Sequence, residues 1–590
     1  MTPIRLAAVV AIMLFMLSAC GQDDSQTGTS GSDNSLLAYV PNGTPYLGGN
    51  LEPTPDTVVD GFLAKMEPVM ATVQVELVKV RAEIEANPES AGGHSKLILA
   101  LLQEFDGKLN RSGLESLGFD LQAYQVYYGV GPYPVARMTL KDAAVFKATV
   151  QRVLDNAGIS APQLDFEGQA YWKIPAGDHD DDYSDWPVSL LIAILPDHMA
   201  VGVMPESLEA EMLPAFLGKQ IPENTDAAER LAALNGQYDY TPYFTGVLDL
   251  NLLADEFLNP GTVLARSLDA GHAAELAAIS PQCKTEFRQI IANSPRWVMG
   301  STALTDDTIG LQYLFETPPS LAQELMALLA DIPMADALST RVLEFAFGIK
   351  VGATRDFLRE KITSITEVPY QCEHLQEMND YAVQGLAQLQ QPIPPFVNNF
   401  RGLRLSLSSI IMGGSIPYSG AGLLAVYVDQ PEMFVGMAQM FLPDLSAISL
   451  VKGDPPVPLP ASMIPVPDIV AFAALSDNAI GVSVGAGEEG GLLPFLDEKA
   501  NDKGVLLSVN YDAAAYMDFN DSMSSAFEAA KAVEDLDDDA ADAVIREQEQ
   551  KALEIAEAVQ NSYREVVDRS MLDVRFIEEG VAIDSTMTFK

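Results

Sequence analysis

The stretch VARMTLKDAAVFKATVQRVL at Val135–Leu154 has a counterpart in LLAVYVDQPEMFVGMAQMFL at Leu423–Leu442. Each stretch begins with the alternating apolar residues of a β-strand, passes through a short polar turn, and continues with the spacing of an amphipathic helix. Phe146 in the first stretch corresponds to Phe434 in the second. The recurrence predicts that one strand–helix unit is built twice in this chain.

Two further pairs of segments recur in the same order along the chain. Leu190–Leu217 corresponds to Ile469–Leu496, and each predicts a hairpin with a tight turn followed by a helix. Arg296–Glu316 corresponds to Arg569–Phe589, and each predicts a terminal hairpin with an acidic turn. Ordered recurrence of three segments indicates internal duplication rather than chance similarity.

The predicted fold class is α+β, with two homologous modules at 36–317 and 318–590. Many predicted strands alternate between apolar and polar residues, which requires that one face of each sheet be buried. We therefore expect each module to be a mainly antiparallel sheet with helices packed on one face.

The N-terminal segment indicates export to a bacterial cell envelope. Arg5 is the only charged residue before the apolar run Leu6–Leu17, which has the length of a signal-peptide core. The sequence Leu-Ser-Ala-Cys that ends at Cys20 resembles the lipobox of bacterial lipoproteins. The resemblance implies that residues 1–19 are a removed signal peptide and that Cys20 carries the lipid. An ordinary secretory signal or an N-terminal membrane helix is the alternative.

Residues 20–35 are expected to form a lipidated cysteine followed by a flexible tether, because they are polar and cannot bury a core. Several acyl chains anchor a protein stably, whereas one chain anchors it only marginally. The lipoprotein resemblance, with Gly21 after the cysteine, implies the outer membrane. We expect the protein on the periplasmic face of that membrane, with the acyl anchor as its membrane contact.

The charge balance excludes one class of partner. The chain has 35 Lys+Arg against 82 Asp+Glu, a net charge of -47. Nucleic-acid phosphates repel such a polyanion, so no nucleic-acid partner is expected. Anionic lipid surfaces also repel it, which leaves the acyl anchor to hold the protein. Hydrated acidic faces that keep the protein soluble account for the charge more simply than a partner attracted by the acidic residues does.

Cys283 and Cys372 remain once Cys20 is assigned to lipidation. An even pair of cysteines in an oxidising compartment favours a disulfide. The bond would close a loop of about 90 residues, worth roughly 4–5 kcal/mol in the entropic model. Two buried free thiols are the alternative.

Motifs that carry chemistry are weak. The sequence has no zinc-protease motif, no phosphate-binding loop and no cofactor fingerprint, so we expect no cofactor and assign no catalytic residue. GVSVG at Gly481–Gly485 matches a nucleophile-elbow pattern, but Ser483 is predicted within a strand rather than on the required turn. An acidic loop offers hard oxygen ligands for Ca²⁺, with a solvated loop as the alternative; its candidate metal ligands are Asp178, Asp180, Asp182 and Asp185.

Tyrosines cluster in two segments, Ala123–Pro134 and Gly236–Phe244. On strand positions they can line a binding groove for a glycan or a lipid tail, or they can pack in the core and across strands. The candidate groove residues are Tyr127, Tyr128, Tyr240 and Tyr243.

The order of the recurring units, with PQC and PYQC cysteine contexts on either side of the module junction, resembles an uncharacterised family of large duplicated bacterial envelope lipoproteins. The resemblance covers nearly the whole mature chain. It implies no activity and no catalytic residues.

The sequence therefore predicts an outer-membrane-anchored periplasmic lipoprotein. We expect a non-enzymatic binding or scaffold module for an envelope lipid or an envelope protein. The alternative is an envelope hydrolase that uses a carboxylate pair in a cleft between the modules. A purely structural spacer is a third interpretation.

Overall fold

The structure is a computed structural model that describes residues 34–86, 95–159, 161, 163–175, 187–223, 225–335, 339–413, 416–441, 448–464, 469–500, 504–518 and 558–590. The chain divides into two compact units. The first unit comprises Met1–Tyr313, Glu549–Val566 and Phe589–Lys590, and the second comprises Leu314–Gln548 and Val567–Thr588. Helices and antiparallel strands occur in both units, which agrees with the α+β prediction.

The sheet of the first unit is built from antiparallel neighbours. Its strands are β1 (Tyr46–Gly49), β2 (Gln125–Val130), β3 (Tyr133–Thr139), β4 (Gln163–Phe166), β5 (Gln169–Pro175), β6 (Val188–Ile194), β7 (His198–Pro205), β8 (Thr245–Asp249), β9 (Arg296–Leu304) and β10 (Thr308–Glu316). Their spatial order is β4-β5-β6-β7-β3-β2-β1-β8-β9-β10.

The sheet of the second unit is also antiparallel. Its strands are β11 (Leu343–Gly348), β12 (Phe400–Gly413), β13 (Ile416–Val428), β14 (Val457–Pro458), β15 (Ala471–Leu475), β16 (Ala479–Val484), β17 (Val505–Asp512), β18 (Val567–Ile577) and β19 (Gly580–Phe589). Their spatial order is β14-β15-β16-β13-β12-β11-β17-β18-β19.

The two strand orders match strand for strand. Taking β1 with β11, β2 with β12, β3 with β13, and β7 with β16 reproduces every neighbour from β5 to β10 in the second unit. Strand β4 is an addition at one edge of the first unit. In both units a helix follows the second strand of the first hairpin, β3 or β13. A later strand, β7 or β16, then pairs with that strand, so the pairing joins residues that are distant in sequence.

The helices follow the strands in a corresponding sequence. In the first unit they are α1 (Asp56–Ala86), α2 (Ser95–Phe105), α3 (Arg111–Ser116), α4 (Ala143–Ala157), α5 (Glu209–Phe216), α6 (Ala227–Tyr238), α7 (Leu250–Leu258), α8 (Val263–Ser267), α9 (Ala270–Ala278) and α10 (Pro281–Ile291). In the second unit they are α11 (Pro319–Ala327), α12 (Val351–Glu367), α13 (Gln376–Leu389), α14 (Pro395–Asn398), α15 (Pro431–Phe441) and α16 (Glu489–Asp497). Among the described residues, no helix is long and apolar enough to cross a membrane.

Local sequence signals set the ends of the predicted strand–helix unit. The carboxylate of Asp142 accepts hydrogen bonds from the backbone N–H groups of Ala144 and Val145 and so caps α4. Gly158 ends the helix with a φ of 65°, the left-handed conformation that glycine adopts without strain. The strand–turn–helix prediction for this stretch is confirmed, with β3 followed by α4.

Small residues on the sheet of the second unit let α16 approach closely. Leu492 and Leu496 of the helix pack in one buried cluster with strand residues Ala425, Ala474 and Ala479. A Cβ atom at neighbouring Gly481 would lie 2.6 Å from Cδ2 of Leu496, so a larger residue there would force the leucines of the helix to shift. This contact holds α16 close to strand β16.

Candidate functional site

The tyrosines predicted to line a groove are mostly inside the protein. Tyr128, Tyr240 and Tyr243 are buried, and Tyr127 is partly buried. The hydroxyl of Tyr240 donates to Oε1 of Gln312 at 2.9 Å. Burial raises the pKa of Tyr127 and of Tyr128. For the three buried rings this arrangement matches the packing interpretation, because they offer no open surface to a ligand.

The cysteine and metal predictions have different outcomes. Cys283 and Cys372 are both buried and disulfide-bonded, and among the described residues they form the one cysteine pair at bonding distance. Cys20 lies outside the described residues, so its lipidation stays a prediction. The same holds for the calcium site at Asp178, Asp180, Asp182 and Asp185. Within the described ranges, no group of three or more His, Cys, Asp or Glu side chains is arranged to hold a metal ion.

A buried arginine organises the centre of the first unit. Arg137 on β3 has no exposed surface, and its Nε donates to the hydroxyl of Tyr128 on β2 at 3.0 Å. Its Nη2 donates to the carbonyl oxygens of Phe216 at 2.9 Å and Ala215 at 3.2 Å, at the C-terminal end of α5. A cation at a helix C-terminus is favourable because the carbonyl groups there carry partial negative charge.

His198 completes the arrangement around this arginine. Its Nε2 lies 3.0 Å from Nη1 of Arg137, and its Nδ1 lies 2.7 Å from the carboxylate of Asp197. Burial lowers the pKa of His198, and the hydrogen bond to Asp197 only partly opposes that effect. The ring is therefore neutral at pH 7, donating from Nδ1 to Asp197 and accepting from Arg137. Because Arg137 and His198 are both fully buried, their hydrogen-bonding groups contact other groups of this protein.

The second unit buries a related pair. Arg404 on β12 stacks 4.3 Å above the ring centroid of Phe495 in α16 and hydrogen-bonds Tyr427 on β13. The hydroxyl of Tyr427 contacts the carbonyl oxygen of Phe495 at 3.4 Å, and Nη1 of Arg404 pairs with Glu498 at 2.5 Å. Each unit thus joins its two central strands to the end of a short helix through an arginine and a tyrosine.

Two of the carboxylates that the hydrolase interpretation could use, Glu206 and Glu209, are held in ion pairs. Nζ of Lys173 lies 2.7 Å from Glu209 and 3.2 Å from Glu206. Burial opposes the charge on Lys173, but the hydrogen bonds to both carboxylates outweigh it and raise the lysine's pKa. A lysine held as a cation cannot serve as a general base at neutral pH.

The shifted carboxyl pKa values in the described part of the chain also differ from what a general acid needs. There, every carboxyl group with a shifted pKa has it lowered, because hydrogen bonds or positive charges outweigh any burial. A general acid requires the opposite shift. The groups concerned are Glu104, Glu115, Glu211, Asp269, Asp307, Glu432 and Glu488.

Ser483, from the nucleophile-elbow pattern, lies within strand β16 as the alternation predicts. Its side chain is fully buried and its neighbours across the ladder are Leu423 and Phe472. A nucleophile elbow instead exposes the hydroxyl on a sharp turn between strand and helix.

An apolar groove lies between α12 and α13 of the second unit. Its volume is about 280 Å³, and its lining residues are Ile349, Val351, Thr354, Arg355, Leu358, Gln388, Leu389, Gln391 and Ile393. The residues from α12 recur at intervals of three and four, so they form one stripe of the helix. We call this site the α12–α13 groove.

The helices of the groove leave apolar side chains in water. All seventeen residues of α12 are described, and none of them is buried. Leu358 is 42% exposed, and Tyr381 on α13 is 68% exposed. Large exposed apolar patches occur at interaction sites, so these two helices are a candidate binding surface.

Arg355 gives the groove a single charged group among its described lining residues. Its Nε is buried and makes no hydrogen bond. The carboxylate of Asp356 is 3.6 Å from Nη2, which is beyond hydrogen-bonding distance. Sequence reasoning missed this groove, although the interleaving of apolar and basic residues in VGATRDFLREKI is a readable signal.

Comparison with protein-family models, with curated proteins and with solved structures finds no match. The argument for function therefore rests on the geometry of this chain.

Proposed function

We propose that the protein is a non-enzymatic binding module that takes an apolar envelope ligand in the α12–α13 groove. In this proposal the acyl chains on Cys20 hold it at the periplasmic face of the outer membrane. The tether ends before Asn34, which is buried and donates to the carbonyl oxygens of Asn50 and Gln125. The observation that carries the proposal is the apolar groove between two helices whose apolar side chains remain exposed.

The energetics of α12 support a binding role. Burying the side chain of a leucine contributes roughly 1.5–3 kcal/mol, and Leu358, which is 42% exposed, obtains only part of that within its own unit. A ligand that covers Leu358 and Ile393 would recover part of this energy on binding. An amphipathic helix that served only to cover the sheet would bury its apolar stripe instead.

We also propose that the two units are homologous modules and that the second unit is the one that binds the ligand. The matching strand orders and the recurring sequence segments support an internal duplication. A duplicated module is free to change one surface while its copy retains the fold.

The envelope hydrolase has no specific observation in its favour within the described residues. Their shifted carboxyl groups are more acidic than usual, whereas hydrolysis by a carboxylate pair needs one carboxyl with a raised pKa. We therefore argue the binding function.

The test is binding of a dye whose emission rises in apolar surroundings, titrated into residues 21–590. We expect saturable binding by the wild type and its loss in Leu358→Asp, because a carboxylate in the groove would have to be desolvated. The matched control is Val368→Asp, which places the same charge at an exposed position outside the groove lining.

Circular dichroism and thermal melting verify that both variants keep the fold. Saturable binding that persists in Leu358→Asp at wild-type strength contradicts the assignment of the groove. Absence of saturable binding by the wild type contradicts the binding function itself.

A further inference from the structure

We propose that the ligand of the α12–α13 groove is a single long acyl chain that ends in a carboxylate, with Arg355 binding the carboxylate. This inference rests on the proposed binding function and deepens it by naming the ligand class. It follows from the size of the groove, the chemistry of its wall and the charge around it.

The size of the groove selects a slender ligand. Its volume of about 280 Å³ lies just below the roughly 300–1,000 Å³ typical of small-molecule sites. Its apolar lining side chains come from both helices. Val351 and Leu358 lie on α12, Leu389 lies at the end of α13, and Ile393 follows that helix. A site this small between two helices fits one acyl chain better than a lipid with two.

The wall chemistry selects an acid. The hydroxyl of Thr354 already donates to the carbonyl oxygen of Lys350 at 3.0 Å, so it has no second proton to donate to a headgroup. The guanidinium of Arg355 has a buried Nε that makes no hydrogen bond within the protein. A carboxylate can accept two parallel hydrogen bonds from such a group, and charge-assisted bonds are about twice as strong as neutral ones. A neutral headgroup cannot form such a charge-assisted pair with the arginine.

The charge of the segment favours the approach of an anion. From Lys350 to Lys361 the sequence has four basic residues and two acidic residues, a local charge of +2 in a chain whose net charge is -47. Arg359 pairs closely with Asp356, and Lys361 with Glu324. Arg355, by contrast, lies 3.6 Å from the Asp356 carboxylate that Arg359 already holds. Arg355 is the basic residue of this segment that both lines the groove and retains hydrogen-bonding capacity.

The experiment measures binding of hexadecanoate and of hexadecanol, a neutral ligand of the same chain length, by displacement of the apolar dye. The protein is residues 21–590 as wild type, Arg355→Gln, Arg355→Lys and Arg359→Gln. Arg359→Gln is the matched control, because it removes the same charge from the same helix outside the groove lining.

We expect Arg355→Gln to weaken hexadecanoate binding about tenfold or more, since a hydrogen bond to a charged group contributes roughly 1.5–3 kcal/mol. Arg359→Gln should change it by less than about threefold, the range of a surface charge. Arg355→Lys should fall between wild type and Arg355→Gln, because it keeps the charge and loses the planar donor pair. Hexadecanol binding should not respond to Arg355→Gln.

Equal binding of acid and alcohol, unaffected by Arg355→Gln but lost in Leu358→Asp, overturns the carboxylate inference and leaves the groove as an apolar site. Equal weakening by Arg355→Gln and Arg359→Gln also overturns it, because the effect is then one of net charge. Failure of the wild type to bind dye, acid and alcohol overturns the proposed function together with the inference.

Discussion

Helices α1 and α12 follow the first strand of their units, β1 and β11, yet they are used in opposite ways. Helix α1 buries apolar side chains along its length: Val58, Val59, Phe62, Met66, Val69, Val73, Leu77 and Ile84. Helix α12 buries none. The shared strand order sets where each helix begins, but the side chains decide whether it serves the core or a ligand. We base the proposed binding surface on this difference, and place it in the second unit.

The buried arginines show the same contrast at smaller scale. Arg137 makes four contacts with groups that are themselves mostly buried, including two carbonyl oxygens of α5. Arg404 pairs with Glu498, a carboxylate that is 41% exposed. The arginine lies on the third strand of the first unit and on the second strand of the second unit. Both arginines join central strands of their sheet to a short helix. The partners of Arg137 are mostly buried, whereas Glu498 beside Arg404 is partly exposed.

The largest effect should come from matched truncations in the two helices. Phe62→Ala in α1 should lower the free energy of unfolding by about 3–5 kcal/mol, the usual cost of removing a buried aromatic ring. Leu358→Ala in α12 should cost less than about 1 kcal/mol, because that side chain is already in contact with water. Urea unfolding followed by circular dichroism measures both. Similar costs for the two variants would break the comparison between α1 and α12.

Truncating the two arginines should give the next effect. Arg137→Ala leaves Tyr128, His198 and two carbonyl oxygens without their donor, and should cost about 3–5 kcal/mol. The tryptophans Trp172, Trp186 and Trp297 all belong to the first unit, so tryptophan fluorescence during urea unfolding reports on it.

Arg404→Ala is the matched variant in the second unit. It should cost less than Arg137→Ala, because one of its partners is partly solvated and can exchange the arginine for water. Its unfolding should be followed by circular dichroism, since the tryptophans do not report on that unit. An Arg404→Ala cost equal to or larger than that of Arg137→Ala would contradict the comparison.

The smallest effect should be a pH dependence specific to the first unit. Because burial lowers the pKa of His198 below its unfolded value of about 6.5, the unfolded chain binds this proton before the folded protein does. The free energy of unfolding should therefore fall as the pH drops from 7 towards 5. Arg137 disfavours the protonated ring and Asp197 favours it.

His198→Gln should flatten this dependence, and His374→Gln, at an exposed site, should leave it unchanged. Tryptophan fluorescence during urea unfolding at several pH values measures the slope. An unchanged slope in His198→Gln would show that other groups cause the pH dependence.

Much of the local structure could be predicted from the sequence. The stretch at Val135–Leu154 forms a strand, a capped turn and a helix, and Ser483 lies within a strand where alternation placed it. The hairpin of β6 and β7 and that of β15 and β16 occur at the predicted tight turns. These features depend on residues within a few positions of one another, so their pattern is visible in the chain.

The candidate groove was not predictable in the same way. The apolar stripe Val351, Leu358 and Ile362 of α12 is what a core-facing helix would also show. Only the packed structure reveals that Leu358 of this stripe is exposed while Val351 and Ile362 are partly buried, and that Arg355 lines the groove beside them. The Arg137 cluster was hidden for a related reason, because its members come from separate strands, a turn and a helix end.

By itself, the sequence determined the α+β class, the recurring strand–helix and hairpin units, and the cysteine pair available for a disulfide. These follow from periodicity, turn chemistry and composition, which act over short distances along the chain. The tertiary structure decided which strands became neighbours, which arginines were buried and which helix kept an apolar face in water. Those outcomes depend on contacts between residues that are distant in sequence, and burial is a property of the whole packed unit.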